Sequence, residues 1–162
     1  VTPGTSRRQT VLGEYLTDPA VSPLRKYQDL VVGDRRILSL LRFELLTTLL
    51  GGLPGMAGLG LRRLFYPSLL AKVGRNVVFG KGITLRHPKL IRVGDNVVID
   101  DGCVLDAKGS AQQGIGIGGG VFISRATILS CKGGSIEVGD SANLGIGCVI
   151  LSESRVTIGD SC

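Results

Sequence analysis

The hydrophobic pattern changes character at residue 73. From there an apolar residue recurs every six positions: Val73, Phe79 and Leu85, then Val93, Ile99 and Leu105. The series continues with Ile117, Ile123 and Leu129, then Val138, Leu144 and Ile150, and last Ile158. Coils therefore start at 73, 93, 117, 138 and 158, spaced 20, 24, 21 and 20 residues, which is three hexapeptides plus a corner insertion. Each start carries a common signature, as in Val93-Gly94-Asp95, Val138-Gly139-Asp140 and Ile158-Gly159-Asp160. Repeats of this period mean a solenoid, and hexapeptides mean a parallel β-helix. A triangular prism needs three short strands per coil, each sending an aliphatic side chain inward onto its equivalents above and below. The position four residues later also points inward and is mostly small. One such column reads Val77, Val97, Val121, Ala142, Cys162 and another Ile83, Cys103, Thr127, Cys148. These columns make three of the four cysteines core fillers and leave Cys131 as the exposed thiol.

Ahead of the repeat the pattern is different. Residues 1–30 are polar, contain Pro3, Pro19 and Pro23, and read as an arm or linker. Residues 31–72 form an apolar, basic helical segment. The Leu-rich run Ile37–Leu50 predicts a helix ended by Gly51-Gly52 and Pro54-Gly55. A second apolar stretch, Met56 to Leu70, contains Arg62-Arg63 and is closed off by Pro67. The first is not expected to span a bilayer, since it falls short of about 20 residues and is interrupted by Arg42 and Glu44. Two roles stay open for this region. Its helices cap the following domain or pack in an oligomer, or they lie on a membrane surface. In the second case Arg35, Arg36, Arg62 and Arg63 sit at lipid headgroups while leucines enter the acyl boundary.

Composition and charge narrow the functional classes. Seventeen of the 25 glycines follow residue 72, and the aromatic content is 4 % with no Trp, which suits a narrow prism with tight corners. The net charge of +6 hides a split. Residues 1–92 carry 15 − 5 = +10 and residues 93–162 carry 4 − 8 = −4. A basic first half speaks for an anionic partner, such as phospholipid or a phosphorylated ligand. Nucleic acid is not expected, because the basic residues are interleaved with Leu rather than with stacking aromatics. A multi-histidine zinc site cannot be assembled from His87 alone, and the cysteines form no CxxC pair, so no metal is expected. The cysteine usage and the lack of a signal-peptide pattern at Val1 read as a reducing, cytoplasmic compartment, with contact to the inner face of the membrane as the variant.

The repeat resembles that of the bacterial hexapeptide-repeat acyltransferases. Asn143-Leu144-Gly145-Ile146-Gly147-Cys148-Val149-Ile150-Leu151, followed by Val156-Thr157-Ile158-Gly159-Asp160, is similar to the galactoside/maltose O-acetyltransferase branch. Arg86-His87-Pro88, Ile99-Asp100-Asp101 and Leu105-Asp106-Ala107-Lys108-Gly109 look like acyltransferases associated with surface polysaccharide. The resemblance covers about residues 62–162. It implies a left-handed parallel β-helix over residues 73–162, a homotrimer, and acetyl-CoA or another acyl-CoA as co-substrate. The reaction implied is acyl transfer to a hydroxyl of a saccharide or glycan precursor. The sequence departs from the sugar branch at Gly145, where that branch tends to carry an acceptor-binding Asn.

The resemblance also implies a His as general base on the acceptor hydroxyl, at hydrogen-bond distance and with a near-neutral pKa. By analogy with the sugar branch this base is expected past Cys162, so the sequence reads as part of a longer protein whose β-helix continues. His87 is the candidate base within the chain, on the corner after the first coil. Asp100, Asp101 and Asp106 sit at corners, where aspartates satisfy turn backbone. The run Gly114-Ile115-Gly116-Ile117-Gly118-Gly119-Gly120 imitates a dinucleotide fingerprint, but the hexapeptide register runs through it and no helix follows. The alternative to an enzyme is a non-catalytic β-helix that serves as a scaffold or assembly protein.

Overall fold

A computed structural model describes residues 14–108 and 113–162. Pro3, Arg7, Arg8 and Gly109 lie outside the described residues. Helix α1 (Pro23–Tyr27) starts with Ser22, whose hydroxyl accepts the Arg25 N–H, and runs into a π-turn over Gln28–Val32. Gly33 closes that turn at φ +73°, a conformation that costs other residues about 1–2 kcal/mol. Helix α2 covers Ile37–Leu50, the Leu-rich run, whose straight-chain residues lose little freedom in a helix. At its entry the Asp34 carboxylate accepts the Arg36 N–H at 3.0 Å and the Ser39 hydroxyl at 2.8 Å. Helix α3 covers Gly55–Phe65 and gives way to a 3₁₀ turn over Tyr66–Ser68, where Pro67 has no N–H to continue the α-helical ladder.

The remainder is a prism of three parallel sheets. The first holds β1 (Lys72–Val73), β4 (Ile91–Val93), β7 (Ile115–Ile117), β10 (Ser135–Val138) and β13 (Arg155–Ile158) in that order. The second stacks β2 (Val78–Phe79), β5 (Val98–Ile99), β8 (Phe122–Ile123) and β11 (Asn143–Leu144). The third stacks β3 (Thr84–Arg86), β6 (Val104–Asp106), β9 (Ile128–Cys131) and β12 (Val149–Ser152). The register is the six-residue register of the sequence. Val73 faces Val93, Ile117 pairs with both Val93 and Val138, and Val138 faces Ile158. Phe79, Ile99, Ile123 and Leu144 form the second column, and Leu85, Leu105, Leu129 and Ile150 the third. Nearly all of these side chains are buried, each Leu or Ile contributing about 1.5–3 kcal/mol by leaving water.

Corners are made by left-handed residues in vertical register. Asn76, Asn96 and Ser141 adopt φ near +57°, with Gly120 at the equivalent place between them. Aspartates stitch successive corners together. Asp95 Oδ1 accepts the Arg75 N–H at 2.6 Å, Asp140 Oδ1 that of Gly119 at 2.7 Å, and Asp160 Oδ1 that of Asp140 at 2.9 Å. The series has one gap within the stack, because Gly119 stands where the second, fourth and fifth coils have Asp95, Asp140 and Asp160; the first coil has Arg75 there. The Gly114–Gly120 run is buried strand β7 followed by a corner, with no helix after it.

Two expectations are corrected. Cys131 is fully buried, and the thiol exposed to solvent is Cys162. The six-residue count breaks at the long corners, where a further buried column forms from Ala107, Cys131 and Ser152, continuing the register of Asp106, Ser130 and Leu151. Arg62 is likewise not at any headgroup: it is 1 % exposed. Its guanidinium donates to the carbonyls of Phe79 (3.0 Å), Leu50 (2.8 Å) and Leu53 (2.8 Å), tying α2, the α2–α3 turn and β2 together.

Candidate functional site

The chemistry-bearing side chains converge where the third sheet turns toward the first. Strands β3 and β6 set Arg86 beside Asp106, and β9 adds Ser130 to the same outward row. One residue further on, the chain leaves the sheet at His87 and Ala107, and Lys108 follows. Backbone bonds hold the corners in stack: Ala107 N–H donates to Arg86 O at 3.1 Å and Gly133 N–H to Lys108 O at 2.8 Å.

His87 is placed by its backbone as much as by its ring. Its φ is +51°, uncommon for a residue with a Cβ, and its N–H donates to Val31 O at 2.7 Å. The imidazole Nε2 lies 3.2 Å from Leu30 O, so that nitrogen carries the proton and donates to the carbonyl. Gly33 lies against the other ring nitrogen: a Cβ there would sit 2.7 Å from Nδ1. Burial is the main cause that holds the His87 pKa below its ordinary 6.5, opposed by the carbonyls of Asp29 and Leu30 and by the charge of Asp106. The ring is therefore neutral near pH 7, with one nitrogen bonded to the arm and the other covered by it.

Asp106 is the polar centre of the corner. Among the described residues its buried Oδ1 has no hydrogen-bond partner, and its charge acts on His87, Lys108 and Cys131. Lys108 is half-buried, and desolvation together with Arg86 and Lys132 lowers its pKa against the opposing pull of Asp106. Cys131 Sγ lies 3.7 Å from Asp106 O, and its thiol pKa is pushed up to about 11, first by burial and then by the Asp106 charge. Arg86 and Lys132 act on Lys108 as like charges and Asp106 as the opposite one, so three cations gather at this corner.

Asp100 and Asp101 serve the turn backbone. Asp100 Oδ1 accepts the Asp101 N–H at 2.8 Å, and Asp101 Oδ1 accepts the Lys81 N–H at 2.6 Å. Sequence reading did not gather Arg86, Lys108 and Lys132 into one cluster. The signal was the coil period itself, which places each of them at the same corner of successive coils. Among the described residues no group of His, Cys, Asp and Glu is arranged to hold a metal ion. The chain matches no protein-family model and no curated protein sequence.

Proposed function

We propose that the protein is an acyl-CoA-dependent O-acyltransferase, with acetyl-CoA as donor and a saccharide or glycan-precursor hydroxyl as acceptor, working as a homotrimer. The observation that carries this reading is the prism of three parallel sheets stacked coil on coil, the architecture of the transferases that the sequence resembles. The donor brings phosphates, and Arg86, Lys108 and Lys132 are the residues that would take them. Acceptor attack on the thioester carbonyl requires a base for the hydroxyl proton and releases the free thiol of coenzyme A. His87 is not that base in this reading, because its ring is engaged with the arm at Leu30 and Gly33.

The same observation about His87 favours the second reading, a non-catalytic scaffold, since it leaves the one imidazole of the sequence in a structural duty. Titration with acetyl-CoA, followed by thiol release in the presence of mixed sugars, separates the two. The transferase reading expects saturable acetyl-CoA binding that weakens in Lys108→Gln, together with acceptor-dependent thiol release. Absence of both binding and release would leave the scaffold.

A further inference from the structure

Helix α2 is apolar on both of its faces, yet only one is used. Leu40, Phe43 and Leu50 are buried against the rest of the protein. On the opposite side Leu38 is 81 % exposed, Leu41 59 %, Leu45 58 % and Leu49 59 %. At 100° per residue these four fall within an arc of about 80°, a continuous stripe along the solvent side of the helix. A helix with one packed face normally turns charged and polar residues outward, so a second apolar stripe calls for a second contact. Helix α3 adds Met56, 88 % exposed, and Leu64, 70 % exposed.

The charge around the stripe selects the occupant. Between Arg35 and Phe65 the chain has five arginines and one acid, Glu44. Glu44 accepts the Tyr27 hydroxyl, Arg35 pairs with Asp29 at 3.1 Å, and Arg62 is buried. Arg36, Arg42 and Arg63 remain exposed. A second copy presenting the same face would oppose arginine with arginine. An anionic bilayer answers both features, taking leucines into the acyl boundary and arginines at the phosphates.

We propose that the outer face of α2, assisted by Met56, Leu64 and the exposed arginines, docks the protein on an anionic membrane surface with α2 lying in the interfacial plane. Among the described residues no helix is long and apolar enough to cross a membrane, so the contact is one of lying on the bilayer. The inference is independent of acyl transfer.

The test is co-sedimentation of the full chain with vesicles of equimolar phosphatidylglycerol and phosphatidylcholine, against vesicles of phosphatidylcholine alone. Binding to the anionic vesicles is expected, weakening as salt rises toward about 1 M. The Leu41→Ser/Leu45→Ser variant should lose at least about tenfold in vesicle affinity. The Arg36→Gln/Arg42→Gln/Arg63→Gln variant should lose the preference for phosphatidylglycerol. Circular-dichroism melting checks that both remain folded. Because the sequence contains no tryptophan, Leu45→Trp gives a direct readout, with a blue-shifted emission expected on anionic vesicles. Unshifted Leu45→Trp emission together with no co-sedimentation would overturn the proposal, as would undiminished binding by the folded Leu41→Ser/Leu45→Ser variant. An oligomer of the vesicle-free chain that Leu41→Ser/Leu45→Ser dissociates, with no vesicle binding, would assign the stripe to a second copy instead.

Discussion

Arg62 donates from Nε to the Phe79 carbonyl at 3.0 Å, reaching from the helical region into the first coil of the β-helix. Among the described residues no carboxylate is bonded to this buried guanidinium. Its partners are backbone carbonyls, two of them at the C-terminal end of α2 and just beyond it, where the helix dipole favours a cation.

Arg62→Met should therefore leave the buried carbonyls of Phe79 and Leu50 and the part-buried carbonyl of Leu53 short of a donor. With about 1–3 kcal/mol for each unsatisfied group, partly recovered by relaxation and water, a loss of roughly 3 kcal/mol is expected in urea unfolding. Arg62→Lys should lie between the two, since a compact ammonium on a shorter side chain cannot serve three carbonyls in the same fork geometry.

Stability should fall as pH drops through the range just below 6.5. The folded-state pKa of His87 is lowered, so the unfolded chain binds more protons there and unfolding becomes easier with acid. Asp106 opposes this lowering and Lys108 reinforces it. Asp29 and Asp34 also have lowered pKa values, but their contributions are lost only as pH falls below the ordinary carboxylate range. Melting temperatures of wild type and His87→Asn across pH 5 to 7.5 check this, Asn being tolerant of the left-handed backbone (range chosen about the ordinary His value). An unchanged slope in His87→Asn would remove the imidazole as its source.

Gly33→Ala should destabilise by about 1–2 kcal/mol from its left-handed backbone alone, with a further cost where the new methyl meets the His87 ring. That further cost belongs to the pair. In a double-mutant cycle with His87→Asn it should partly vanish, giving a coupling of about 0.5 kcal/mol or more.

Gly119→Asn should stabilise the protein. A Cβ at Gly119 meets only ordinary contacts, the nearest at 3.4 Å from Asp95 O, and the side-chain oxygen would take the place that Asp holds in the second, fourth and fifth coils. A gain of about 0.5–1 kcal/mol is expected, and the neutral amide avoids a third carboxylate beside Asp95 and Asp140. An unchanged or lower urea midpoint would show that the gap in the aspartate series is not a deficit.

Thiol labelling of the native protein should mark Cys162 first, as the exposed cysteine, and leave Cys103 and Cys131 unmodified. Burial raises the pKa of both inert thiols, that of Cys131 to about 11. Peptide mapping after brief alkylation reads the order.

The prism was legible in the sequence because its signal is periodic: each inward aliphatic repeats at a spacing that the register then honours, from Val73–Val93 to Val138–Ile158. Helix α2 was legible to its bounds, since composition and the following glycines and proline agree. The inward column of Ala107, Cys131 and Ser152 was not, because corners of unequal length hide a vertical alignment from a linear count. Arg62 escaped for another reason. Its burial depends on three carbonyls from separate segments, and backbone carbonyls leave no mark in a residue pattern. The cations of the candidate corner are far apart in sequence, and only stacking brings Arg86, Lys108 and Lys132 together.

The pairing of every coil with only the coils above and below has a consequence for how such a molecule can change in size. Ile117 and Val138 face each other in register, and each is followed by glycine and then a corner. Excising residues 118–138 would bring Gly139 directly after Ile117, set Leu144 opposite Ile99 and Ile150 opposite Leu105, and leave every column continuous. Excising ten residues would throw all three columns out of phase. The length of this protein is therefore quantised: it can grow or shrink by whole coils, and by little in between.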